Sequence, residues 1–107
     1  MTPHINAGAK LTTLINVFNV APEDRDRLVA LLKEGTEAWI SKLPEFVSSS
    51  LHVSRDGRRV VIYGQWRSVD GIAAMRQRPE MPEYFERIKA IAQMEAITCD
   101  VASTVVA

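Results

Sequence analysis

Residues 51–66, LHVSRDGRRVVIYGQW, constrain the fold more than any other part of the chain, because two runs of strand-forming residues meet across Asp56 and Gly57. Asp-Gly between such runs is a strong hairpin signal, since both residues tolerate the positive φ that turns matching strand twist require. The spacing predicts a two-residue turn that pairs Val53 with Val60, Leu51 with Ile62 and Val47 with Trp66, giving one coherent apolar face. His52 then lies opposite Val61 on the other face. A three-residue turn with a bulge at Gly57 would shift the register by one and bring His52 beside Trp66. The geometry of the turn therefore decides whether the histidine can serve a site built around the tryptophan.

The flanking sequence supplies the rest of a fold. Residues 11–20, LTTLINVFNV, are rich in β-branched and apolar types and stop at Ala21-Pro22, which reads as a first strand. Alternation puts Leu14, Asn16 and Phe18 on one face and Ile15, Val17 and Asn19 on the other. Pro22, Glu23 and Asp24 suit the first turn of a helix, and Leu28, Leu31, Leu32, Trp39 and Leu43 carry its 3.6-residue period up to Pro44. Residues 45–54 and 58–66 form the hairpin strands. Ser68 or Asp70 caps a short helix over 69–77, and a second helical segment over 82–94 buries Tyr84, Phe85, Ile88, Ile91 and Ala92. Residues 96–106 read as the last strand.

The order β-α-β-β-α-β predicts an α+β, ferredoxin-like fold with a four-stranded antiparallel sheet and helices on one face. Residues 1–10 are expected to be a poorly ordered lead-in, with His4 solvated, and 11–107 a single domain. A chain of 107 residues leaves little space for an enclosed pocket unless two subunits share it. The sheet's second face carries Ile15, Val17, Tyr63, Cys99 and Val101, which two sheets packed face to face would bury. The expected assembly is a homodimer with a barrel-like core.

Composition excludes several partners. Thirteen basic and thirteen acidic residues cancel, and no basic stripe of the kind that binds nucleic acid is present. Arg55, Arg58 and Arg59 cluster only at the hairpin tip, where a solvated surface is the ordinary reading and an anion site the other. No apolar run approaches the roughly 20 residues that cross a bilayer, and the start lacks the apolar core of an export signal. The single Cys99 rules out an internal disulfide framework. These features lead us to expect a cytoplasmic protein without membrane or nucleic-acid partners.

Three stretches, the first strand with Asn16, the step Leu43-Pro44-Glu45-Phe46, and residues 60–66 followed by Ser68, resemble the antibiotic-biosynthesis monooxygenase superfamily of dimeric α+β-barrel proteins. The resemblance spans about residues 11–105 and is closest to the cofactor-independent anthrone or quinol oxygenases of aromatic polyketide pathways. It implies deprotonation of a phenol or enol, electron transfer from the anion to O₂, and collapse of a peroxide to a quinone, with no metal or flavin. Two positions depart from that pattern: Ile62 stands where an Asn is expected and Ile72 where a Tyr is. The haem-degrading branch shares the Asn and Trp matched by Asn16 and Trp66, but its iron-binding His has no counterpart over 82–94.

The catalytic candidates are Trp66, Asn16, His52 and Arg87; the substrate-binding candidates are Ile62, Gly64, Ile72, Met75 and Phe85. Trp66 either walls a site for a flat aromatic or fills a small core. Gly64, on the same face, removes a side chain where a ligand could approach. Asn16 either donates to a ligand or is locked to backbone. His52 is the residue type suited to proton transfer near neutrality. Arg87 lies near an arginine that helps in the resembled oxygenases, with a surface pairing to Glu83 or Glu86 as the other reading. Met75, Met81 and Met94 pack between helix and sheet or line a channel. The functional expectation is a monooxygenase acting on a small aromatic substrate with O₂; the alternatives are a non-catalytic dimeric ligand-binding protein of the same fold and a haem-degrading enzyme.

Overall fold

The computed structural model describes residues 11–107, so the expected lead-in with His4 lies outside the described residues. Strand β1 (Thr12–Val20) pairs antiparallel with both β3 (Arg59–Trp66) and β4 (Ala92–Asp100), and β2 (Phe46–Val53) borders β3. The sheet order is β2-β3-β1-β4. Three helices, α1 (Arg25–Ala38), α2 (Val69–Arg76) and α3 (Met81–Lys89), complete the ferredoxin-like α+β fold.

The hairpin turn is a four-residue loop over 55–58 rather than a two-residue turn. The Ser54 N–H donates to the Arg59 carbonyl at 2.9 Å, and the Gly57 N–H to the Ser54 carbonyl at 2.9 Å. Gly57 takes φ +74°, the left-handed conformation that glycine adopts without penalty. The Asp56 carboxylate accepts from the Ser54 hydroxyl at 2.6 Å and the Arg58 N–H at 3.0 Å, and these bonds hold its carboxyl below the usual range. Both loop lengths are centred on the same point, so Val53 still faces Val60, Leu51 faces Ile62 and His52 faces Val61. The register departs from expectation at the far end, where a bulge between Phe46 and Ser48 sets Phe46, not Val47, opposite Trp66.

Two further boundaries differ. The helix expected to run to Pro44 stops at Ala38; Trp39 leaves helical geometry at φ −143°, ψ −38°, and a short 3₁₀ turn follows at Ile40–Lys42. Pro44 holds only Leu43 extended, at φ −73°, ψ 142°; the earlier break at Trp39 lets Trp39, Ile40 and Leu43 pack onto the core beside Trp66. At the other end α3 stops at Lys89, and the last strand runs Ala92–Asp100 rather than 96–106. Ile91 and Ala92 mimic a continuing helical stripe. The alternation of Ala92, Met94 and Ala96 with Gln93 and Glu95 has the period of two that the backbone follows. Val101 therefore lies beyond the strand.

The helices cover one face of the sheet in two separate apolar clusters. One centres on Phe18, Val20, Leu28, Leu31, Leu32, Val60 and Ile88. The other centres on Leu14, Trp66, Ile72 and Met75. Along β1 the inward positions run Leu14, Asn16, Phe18, so the asparagine falls where one cluster gives way to the other.

Candidate active site

Between the two clusters lies a cavity of about 320 Å³, at the lower end of the roughly 300–1,000 Å³ typical of small-molecule sites. It is formed within one chain, which corrects the expectation that a pocket would need two. The reason is the divided core: Leu14, Phe46, Trp66 and Met75 wall one side, and Phe18, Leu32, Ile62 and Ile88 the other. Helices α1 and α3 and the segment after α1 roof it over the sheet.

Trp66 is 2% exposed and forms part of the wall. Its ring meets Phe46 edge-on, with centroids 5.5 Å apart and planes at 89°. The bulge in β2 makes this contact by advancing Phe46 into register with the tryptophan. Gly64 lies beside it on the cavity face. A β-carbon there would sit 3.5 Å from both Trp66 Nε1 and the Leu14 carbonyl, an ordinary contact. The missing side chain therefore widens the cavity and is not required by the backbone.

Asn16 faces the cavity between its cross-strand neighbours Ile62 and Ala96. Neither offers a polar side chain, and the carboxamide makes no hydrogen bond to another described residue. Tyr84 lines the opposite wall from α3. Its ring meets Trp39 edge-on at 5.8 Å and 86°, and it occupies the notch left by Gly35, where a β-carbon would collide with the ring. Close approach, rather than unusual backbone geometry, is what requires glycine here. Burial pushes the Tyr84 phenol up to about 12, so it stays a neutral donor across the physiological range.

The other expected residues divide. Ile62, Gly64, Met75 and Phe85 line the cavity with Trp66 and Asn16, as do Met81 and Met94. Ile72 is 1% exposed and packs behind Trp66 in the core, without reaching the cavity. His52 is on the far face of the sheet, exposed, with Nε2 3.0 Å from the Ser50 hydroxyl. The even loop length puts it there. Arg87 is exposed on α3 and outside the lining; Ile88, the next residue, is the one that turns inward. Glu86, a partner considered for Arg87, pairs with Lys89 at 3.6 Å.

Sequence reasoning missed Phe46, Ser49, Thr36, Arg76 and the role of Tyr84 as lining. Phe46 required knowledge of the bulge. Ser49 had a readable signal, since it pairs with Gly64 and shares its face. The polar lining side chains are Asn16, Thr36, Ser49, Trp66, Arg76 and Tyr84, each a hydrogen-bond donor, and none is a carboxylate or an imidazole. Thr36 uses its hydroxyl on the Leu32 carbonyl at 2.9 Å. The arrangement can bind a flat apolar ring and donate to oxygen atoms on it; among the described residues of the lining there is no carboxylate or imidazole to take a proton.

Fold and site together define a class. A family model described as antibiotic biosynthesis monooxygenase matches residues 12–87, and the chain belongs to that family. It is a monooxygenase. Among its relatives, tetracenomycin-F1 monooxygenase of Streptomyces glaucescens is 40% identical over 97 residues, covering 91% of this chain and 87% of that protein. The fold is shared with two solved structures. The ActVA-Orf6 monooxygenase of Streptomyces coelicolor, in complex with nanaomycin D, is 24% identical with a TM-score of 0.84 over 94% of this chain and 95% of that one. SnoaB, a cofactor-independent oxygenase from Streptomyces nogalater, is 23% identical with a TM-score of 0.76 over 91% and 98%.

Proposed function

We propose that this monooxygenase oxidises a phenolic, anthrone-like or quinol aromatic with O₂ without a cofactor, in secondary metabolism of the polyketide type. The observation that carries the reading is the lining itself: a flat aromatic wall at Trp66 and Phe46, neutral donors at Asn16 and Tyr84, and, among the described residues, no carboxylate or imidazole. Such a site stabilises an anion but does not create one. It suits a substrate whose own C–H or O–H is acidic enough to ionise, as the enol of an anthrone is. The relative named for tetracenomycin F1 supports the same substrate class.

In this scheme the substrate anion gives one electron to O₂. The resulting radical pair joins as a carbon–oxygen bond, and the peroxide takes up a proton and loses water to leave a carbonyl. One oxygen atom enters the product and the other departs as water, so no outside reductant is consumed. The apolar walls keep bulk water from the anion, which strengthens each hydrogen bond to it. Oxygen uptake with a panel of anthrones, naphthols and quinols under ¹⁸O₂ tests the reading. One labelled oxygen in the product is expected; binding by every panel member with no oxygen uptake would overturn it.

We also propose that the working form is a homodimer. Ile15, Val17, Val61 and Tyr63 adjoin one another on the sheet face away from the helices, and Ile97 beside them is 42% exposed. A second copy presents the same patch, as a two-fold interface requires. Light scattering at micromolar concentration should give twice the chain mass, and a monomeric mass would refute it. No described helix is long and apolar enough to cross a membrane, and the lone half-buried Cys99 suits the reducing cytoplasm we propose as its compartment.

A further inference from the structure

Among the described residues, Arg76 is the only charged side chain in the cavity lining. It stands in the last turn of α2, where the helix dipole favours a cation. That accounts for an arginine at the helix end but not for its place beside an apolar cavity. Helical pairing offers it no counter-charge, because the residues three and four positions before it are Ala73 and Ile72. The acid four positions after it is Glu80, and Arg78 already holds both oxygens of that carboxylate at 3.1 Å. Among the described residues Arg76 makes no ion pair, and none of those lining the cavity is Asp or Glu.

A guanidinium is planar, permanently charged and matched to a carboxylate through two parallel N–H donors. We infer that Arg76 receives a carboxylate carried by the aromatic substrate, holding it at the cavity rim while the reacting ring lies inside against Trp66 and Asn16. The inference rests on the proposed oxygenase reading for its substrate class and names the substituent: an aromatic carboxylic acid, not a neutral phenol. Because Arg76 is exposed, the pair forms at the edge of the site, where the charge stays partly hydrated. It sets the direction in which a ring enters and leaves the chemistry to the groups deeper in.

The test separates this inference from the oxygenase reading by measuring binding without turnover. A hydroxynaphthoic acid, its methyl ester and the parent naphthol are titrated against the intact protein by quenching of tryptophan fluorescence. The acid should bind about tenfold more tightly than the ester, and raising the salt concentration should erode that preference. Arg76→Gln should remove the preference by weakening the acid alone, and Arg76→Lys should restore part of it. With any substrate that is turned over, Arg76→Gln should raise KM for the acid about tenfold with little change in kcat. Equal affinity of the wild-type protein for acid and ester would overturn the inference. So would an Arg76→Gln variant that lowers kcat alike for both, because the arginine would then serve the reacting oxygen. An acid preference in a protein that consumes no oxygen with any substrate would leave the carboxylate site standing and the oxygenase reading rejected.

Discussion

The two faces of the sheet are built from the same strands and do different work. On the helix face, inward positions of β1 alternate large apolar residues with one asparagine, and the core opens around it into a cavity. On the other face the neighbours pair as ladders, Ile15 with Tyr63 and Ile97, Val17 with Val61 and Glu95. A strand assigns its residues to these faces by parity alone. The two faces thus alternate at every second residue, and the cavity position Asn16 is separated from Ile15 and Val17, which belong to the surface proposed for assembly. The outer face also carries a cost: Gln65 is 2% exposed, accepts from the Ser48 hydroxyl at 3.3 Å, and leaves its Nε2 without a partner among the described residues.

Substitutions on either side sharpen or break that division. Trp66→Ala should have the largest effect, because it empties a buried site at the junction of cluster and cavity. A loss of about 3–5 kcal/mol is typical for such truncations, and thermal unfolding would show a fall of roughly 4–8 °C per kcal/mol in a domain of this size. Ile97→Glu on the outer face should leave the thermal transition of the chain itself almost unchanged and convert the proposed dimer to a monomer by light scattering. A variant that unfolds instead would show that the outer face belongs to the core.

The next effect is a pH dependence. Tyr84 has its phenol raised by burial, so the folded state holds a proton that the unfolded state releases first. Its contribution is intact below the unfolded value of about 10 and is lost as pH rises toward 12. Urea titrations across that window should show wild-type stability falling more steeply than that of Tyr84→Phe. Gly64→Ala should fold normally, since the added carbon meets only ordinary contacts, yet raise KM several-fold by narrowing the cavity. His52→Ala should do least, leaving kcat/KM within about twofold, because the imidazole is on the outer face. A hundredfold loss there would place a partner-supplied group in the site.

Most of the fold was legible in the sequence because period-two patterning and the Asp-Gly turn are local signals. The hairpin register survived an incorrect loop length, since loops of two and four residues share a centre. What escaped were features decided by tertiary contact. Nothing local in 46–48 announces that Val47 is the extra residue of a bulge, and so Phe46 was not recognised as the partner of Trp66. The end of α3 was hidden because Ile91 and Ala92 satisfy a helical stripe and a strand start equally. Nothing local to α1 announces that Gly35 is the notch for the ring of Tyr84 on α3. At the site, Asn16, Ile62, Gly64 and Trp66 were legible from strand parity. Arg76 was not, because a short helix with a modest apolar stripe does not reveal which flank borders a cavity.

The bulge at Val47 separates how the two faces can change. A one-residue insertion within a regular stretch of β2 would exchange the faces of every residue on one side of it, bringing His52 inward or Leu51 outward. The irregularity already present confines such a shift to the segment before it, which includes Trp39, Ile40, Leu43 and Phe46. Lengthening or shortening the chain by a residue next to Val47 would reshape the roof and the Phe46 wall while Ser48, Ser50 and His52 keep their pairing on the far side. For a protein engineer, this is the position at which the cavity can be reshaped by changing chain length while the face proposed for dimerisation keeps its register.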